Sequence, residues 1–233
     1  MSLYVKTFKI RMAVFMLIVF VALTTILSYF YFSSSGTKLN ALLGGVVAGL
    51  VITIIQFIFS WEEHRSLEKF RDLKINRVLL HRDDREFYQK RIETSKKRID
   101  VMGVTASRFM DDFARDTDRS ETKVLLDALN RKVRVRILVP DPEYLDDEDK
   151  TKAELAKKHF IDVKNKYSNF EYKYFNHVAA HSLVVTDNKC LIGPCFPDIK
   201  SKDTPCIDID VNSPYAEKYL NYFENEWNNA STK

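Results

Sequence analysis

Two stretches of this chain, residues 12–32 and 39–59, contain no charged side chain and are apolar almost throughout. At 1.5 Å per residue each is long enough as a helix to cross a hydrocarbon core of about 30 Å, so both are expected to be transmembrane helices. A cleaved signal peptide would need a shorter apolar region and a small-residue cleavage site. The first run lacks both features and is followed at once by a second span.

Only residues 33–38 separate the runs, so the expected arrangement is a hairpin with both ends on one side of the bilayer. Lys6, Lys9 and Arg11 precede the first run, and His64, Arg65, Lys69 and Arg71 follow the second, whereas the connection holds only Lys38. Positive residues stay inside, which places the N-terminus and everything after residue 60 in the cytoplasm of a multi-pass inner-membrane protein, with Trp61 at the headgroup level. Small residues recur at Ala41, Gly45 and Gly49 of the second run, a spacing that lets helix backbones approach closely, either within the hairpin or between copies. Gln56, near an end, and several Ser and Thr are the strongly polar side chains in the cores of the two runs. No charge lies within them, which argues against a dedicated pump or transporter.

The remainder is enough for one well-packed domain. Residues 61–82 are highly charged, with Leu67, Phe70, Leu73 and Leu80 among the apolar positions, and read as a connecting helix. Residues 83–233 read as an alternation of helices and strands. Asp83 or Asp84 caps a helix over 85–97, followed by a strand from Arg98 that ends in the polar turn Thr105, Ala106, Ser107, Arg108. A helix over 121–130 and a strand over 133–139 complete a strand, helix, strand unit. Residues 141–150 are expected to be a solvated acidic loop, and 151–167 a helix bearing Lys152, Lys157, Lys158, Lys164 and Lys166. A strand around Phe170, Tyr172 and Tyr174, a hairpin over 179–193, a strand over 206–211 and an aromatic-rich helix over 214–227 follow. The fold class is membrane-anchored α/β: a two-helix hairpin plus one domain with a mixed sheet flanked by helices.

The hairpin AAHSLVVTDNKCLIG holds the chemistry-bearing residues His181 and Asp187. It resembles the signature hairpin of the phospholipase D superfamily, in which His-x-Lys is followed, after four residues, by Asp. The strand ending near Gly103-Val-Thr, the LLDAL helix, the VRVRILV strand and the terminal YFENEW segment extend the resemblance over about residues 83–227. Counting back from Asp187, the family's Lys position is Ser182 and its His position is Ala180; His181 lies between them. Because strand side chains alternate, a one-residue shift turns the group to the other face.

The resemblance implies a domain built to hold a phosphodiester, with the catalytic pair degenerate. Thr105, Ser107, Arg108, His181 and Ser182 are then the expected ligand-binding residues, Arg108 giving bidentate hydrogen bonds to phosphate oxygens. Two spans joined to a cytoplasmic sensing domain also resemble the membrane effectors of bacterial anti-phage signalling. The expected function is therefore a membrane-anchored sensor or effector. A phosphate-containing ligand, such as a cyclic nucleotide, controls assembly of the anchors in a homo-oligomer of at least two chains, which perturbs the bilayer. The alternative is an active phosphodiesterase, phospholipase or nuclease, working as a dimer. There His181 is the nucleophile, Asp187 orients a histidine and Arg108 replaces the missing Lys.

Other classes are disfavoured. Cys190, Cys195 and Cys206 have no recognised metal spacing, and the five histidines form no His-x3-His or His-Glu-x-x-His pattern, so neither a metal nor a cofactor is expected. There is no phosphate-binding Walker loop and no dinucleotide-binding glycine pattern. A net charge of +4 does not argue for nucleic acid.

Overall fold

The computed structural model describes residues 3–33, 36–117, 119–196 and 199–232, with the side chains of 3–11, 37, 64–66 and 68–70 outside that description. Lys6, Lys9, Arg11, His64, Arg65, Lys69, Phe70 and part of the 33–38 turn therefore lie outside the described residues. The chain divides into two compact units, Met1–Asp72 and Leu73–Lys233.

The first unit is a pair of helices, α1 (Leu3–Ser33) and α2 (Thr37–Asp72). Both are long and apolar enough to cross a membrane over Met12–Ser33 and Lys38–Glu63. They pack on each other through Phe20 and Phe57, whose rings meet edge to face at 6.3 Å. Thr24, Thr25 and Thr53 return their hydroxyls to the carbonyl one turn back, so these polar groups are satisfied within their own helix. The glycines of α2 divide in two. A Cβ on Gly44 would stand 3.3 Å from the Tyr31 ring of α1, whereas Gly45 and Gly49 have nothing within 4 Å. Ala41, Gly45 and Gly49 are all exposed, so the small-residue ridge faces away from the helix pair.

The second unit is a seven-stranded mixed sheet in the order β1-β7-β6-β5-β2-β3-β4. Its strands are β1 (Ile75–Leu79), β2 (Arg98–Met102), β3 (Arg134–Pro140), β4 (Phe170–Phe175), β5 (His181–Thr186), β6 (Lys189–Pro194) and β7 (Cys206–Asp210). β2, β3 and β4 run parallel; every other neighbouring pair is antiparallel. One face is covered by α3 (Arg85–Thr94), α4 (Ser107–Phe113), α5 (Val124–Asn130) and α6 (Asp147–Lys166). Ile99, Val101, Val135, Ile137 and Val139 of the sheet bury against Ile92, Met110, Leu125 and Phe160 there. The other face carries a single helix, α7 (Pro214–Asn229), packed through Ala216, Phe223 and Trp227 onto Met102, Leu138, Leu183 and Val185. The alternation of strand side chains assigns each residue to one of these layers.

Two expectations are corrected. Residues 61–82 are not one connecting helix: α2 ends at Asp72, and Ile75–Leu79 is an edge strand paired with β7. Short β-branched content hidden among charges left this strand without a clear period. The acidic stretch before Thr151 is not all loop. Asp146 caps α6 through the amide of Asp149 at 2.7 Å, and Asp147, Glu148 and Asp149 form its first turn, where carboxylates complement the helix dipole. Asp84 caps α3 as expected, accepting from the Phe87 amide at 3.0 Å.

Beneath α7, Arg136 and Asp100 form a buried pair at 2.7 Å, and the same guanidinium grips both oxygens of Glu224 at 2.6 and 2.8 Å. It also lies about 5 Å from the centroids of the Phe223 and Trp227 rings. This network fixes α7 in register on the sheet.

Candidate functional site

The carboxyl ends of β2, β3 and β6 and the start of β5 meet at one end of the sheet. After Met102, the Gly103 amide donates to the Leu138 carbonyl, and Ala106 adopts a left-handed conformation, φ 53°, that turns the chain into α4. Thr105 and Ser107 flank this turn, and the Ser107 amide donates to the Thr105 hydroxyl at 3.4 Å. Ser182 pairs with Gly193 across the β5–β6 hairpin and reaches its carbonyl at 3.5 Å. Thr105, Ser107, Arg108 and Ser182 therefore share one end of the sheet.

His181 does not join them. It alternates with Ser182 and lies with Leu183 and Val185 on the α7 face, its ring 5.0 Å from Tyr219 and 4.9 Å from Tyr222. Its Nε2 is shielded from solvent and has no hydrogen-bond partner. Burial, and then the nearby His177, lower its pKa, so the ring is neutral at neutral pH. Asp187 cannot orient it, because the two sit at opposite ends of β5. The Asp187 carboxylate instead accepts from the amides of Lys96 at 2.8 Å, Lys97 at 2.9 Å and Arg98 at 3.0 Å, clasping the turn between α3 and β2. Burial pushes its pKa up, and the three amides outweigh this and hold it below the usual value.

Arg108 is already engaged. Its guanidinium bonds Asp83, and its Nε lies 3.3 Å from Asp112. The two carboxylates compensate the charge that a phosphate would need.

The residue that sequence reasoning missed is Arg82. It is 9% exposed, donates to the Pro194 carbonyl at 2.7 Å and to the Thr204 hydroxyl, and has no carboxylate within ion-pairing distance among the described residues. Its Nε has no partner. The guanidinium carbon lies 3.2 Å from where a Cβ of Gly193 would stand, so it occupies the end of the hairpin that carries Ser182. Burial raises the pKa of the neighbouring Tyr88 phenol and Cys195 thiol, and the Arg82 charge opposes both shifts. An arginine within the run HRDDR gives no sequence signal of burial.

A polar cleft of about 540 Å³ lies beside α4, lined by Arg85, Asp111, Asp112 and Arg115 among others. Among its charges Arg85 pairs with Asp112 and Arg115 with Asp111, and Arg119 also lines it. Among the described residues no three His, Cys, Asp or Glu side chains converge as a metal-ligand set, and the three cysteines are unpaired.

No family model matches the sequence, and no curated protein matches it. Among solved structures the chain is similar to TrmBL2, an archaeal chromatin protein whose structure shows a novel mode of DNA binding; identity is 13%, TM-score 0.47, and 80% of this chain and 70% of that one are covered. It is also similar to Nuc of Salmonella typhimurium, a phospholipase D family member, at 17% identity and TM-score 0.41, covering 63% of this chain and 88% of that one. NucT of Helicobacter pylori is similar at 11% identity and TM-score 0.42, covering 65% of this chain and 92% of that one.

Proposed function

We propose that this protein is a membrane-anchored sensor or effector whose phospholipase D-like domain binds a phosphate-containing ligand without cleaving it. The observation that carries this reading is the register of β5. It leaves Ala180 and Ser182 where the family has its His and Lys, and turns His181 onto α7. Cleavage by the family's chemistry needs a nucleophile and a cation on one face, and here they are on opposite faces. Binding needs only charge and donors, and Arg82 supplies a buried guanidinium beside Gly193 that has no carboxylate partner among the described residues.

The two apolar helices are the anchor, with the N-terminus and the domain on the cytoplasmic side of the inner membrane. Anchors of separate copies meet along Ala41, Gly45 and Gly49, the ridge that α1 leaves open, so the chain works as a homo-oligomer. Ligand changes this assembly and thereby the bilayer. A cyclic nucleotide is the ligand class that the likeness to anti-phage effectors suggests, an analogy of architecture.

The test uses the full chain in detergent with pyrophosphate and a panel of cyclic and linear nucleotides, reading binding by calorimetry and ligand integrity by mass analysis. A ligand should bind and return intact, Arg82→Met should weaken it at least tenfold, and His181→Ala should change it less than twofold. Recovery of cleaved ligand, abolished by His181→Ala, would instead establish the phosphodiesterase.

A further inference from the structure

α7 covers the sheet over β2, β3 and β5 but leaves a cleft of about 500 Å³ where its first turns pass over β6, β7 and β1. One wall is a row of aromatic rings, with Tyr215 and Tyr219 tilted 41° to each other. Tyr215 and Tyr219 stand one turn apart with their hydroxyls 3.2 Å from each other, and His181 meets Tyr219 edge to face. The opposite wall is the flat sheet surface of Ile192, Ile207 and Val78. Where the hairpin ends, Gly193 closes against its neighbours so tightly that a Cβ would come 2.5 Å from the Pro205 carbonyl oxygen, which fixes the shape of that end.

Among the described residues no Lys, Arg, Asp or Glu lines this cleft. Burial and then His177 lower the pKa of the His181 imidazole, and the hydrogen bond with Tyr215 raises that of the Tyr219 phenol to about 12. At neutral pH the cleft is therefore uncharged, apolar on its walls, and polar only at the hydroxyl pair and the imidazole. Its volume is in the range of small-molecule sites, which combine apolar walls with a few orienting polar groups.

We propose that this cleft binds an uncharged planar heteroaromatic ring of the nucleobase class, stacked between the Tyr215–Tyr219 pair and the Ile192–Ile207 surface. A slot between rings and a flat sheet suits a flat ring, because aromatic faces gain most from offset or edge contacts at ring-centroid distances of about 4.5–7 Å. The hydroxyl pair offers both a donor and an acceptor to the ring's polar edge. A charged group would lose its hydration in this slot with nothing to compensate it. The site lies on the α7 face and does not require the Arg82 anion site.

The test titrates the full chain in detergent with adenosine, guanosine, cytidine and uridine, which carry no phosphate, and reads binding by saturation-transfer NMR and calorimetry. At least one nucleoside should bind. Ile207→Trp, which fills the slot, and Tyr219→Ala, which removes a wall, should each weaken it at least tenfold, while Lys152→Met, on α6 at the other face of the sheet, should leave it within twofold. Val78→Trp, at a position 61% exposed, narrows the slot from its mouth and serves if either of the first two variants fails to fold. Failure of all four nucleosides to bind at millimolar concentration would overturn the proposal. So would binding indifferent to the slot variants, or displacement of the nucleoside by a linear alkyl alcohol at lower concentration. None of these results bears on pyrophosphate binding at Arg82.

Discussion

Replacing Asp187 separates a structural from a catalytic account of the signature hairpin. In the phosphodiesterase reading this carboxylate orients a histidine, and its loss ends hydrolysis. In the structure it clasps three consecutive amides, Oδ2 taking Lys96 and Oδ1 taking Lys97 and Arg98. Asp187 also has φ 49°, a left-handed conformation that Asn tolerates and Ala resists. Asp187→Asn keeps one acceptor oxygen and sets an NH₂ against the Lys96 amide; Asp187→Ala loses all three bonds and adds backbone strain. Net hydrogen bonds to a charged group are worth about 1.5–3 kcal/mol in protected sites, and water replaces part of that at this partly open turn. The expected destabilisation is about 1 kcal/mol for Asn and about 2–3 kcal/mol for Ala. Because the folded pKa lies below the ordinary 3.8, the charged clasp stabilises fully above about pH 4, and its contribution disappears as pH falls through the folded value. Urea unfolding of the full chain in detergent, followed by near-UV circular dichroism at pH 7 and pH 2.5, should show the wild type more stable than Asp187→Asn at pH 7 and the gap reduced at pH 2.5. Equal stabilities at pH 7, or a gap that widens in acid, would refute the clasp.

Other perturbations test neighbouring parts of the argument. Arg136→Met leaves Asp100, 1% exposed, without its 2.7 Å partner and frees Glu224, so α7 should loosen at a cost of about 3 kcal/mol, read as lost amide protection over residues 214–229. Gly193→Ala drives a methyl against the Pro205 carbonyl and should destabilise the β6–β7 edge by about 1–3 kcal/mol in urea titration. In the helix pair, Gly45→Ile and Gly49→Ile should reduce crosslinked oligomers in lipid while leaving the α1–α2 pair intact, whereas Gly44→Ile should disturb the pair through Tyr31; equal effects of all three would remove the ridge as the contact between copies.

The order of elements in the second unit was legible because long periodic segments announce themselves. α6 has its amphipathic stripe, β3 is rich in buried β-branched residues around Arg136, and α7 carries its aromatics at helical spacing. β1 was not legible. Its residues INRVL sit among charges, and its existence depends on the edge that β7 offers, a long-range fact. The site was legible only in the register argument: alternation alone placed His181 opposite Ser182. What sequence could not show was which arginine lacks a carboxylate partner among the described residues. Arg108 and Arg82 both lie near Asp83, but Arg108 spends its charge on Asp83 and Asp112, while Arg82 folds inward to backbone and hydroxyl oxygens.

The junction between helix and sheet adds one more constraint. The chain leaves α2 at Asp72 and is in β1 by Ile75, and the intervening residues are pinned by the start of α7. Ser213, the N-cap of α7, accepts from the Tyr215 amide at 3.1 Å and donates its hydroxyl to the Leu73 carbonyl at 2.5 Å. Lys74 reaches the Asn212 carbonyl at 3.0 Å and offers its own carbonyl to the Asp210 amide at 3.1 Å. Lys74 holds φ 53°, so its turn is strained and depends on these bonds. The helix that presents Tyr215 and Tyr219 to the cleft thus begins at the residue that holds the chain's exit from α2.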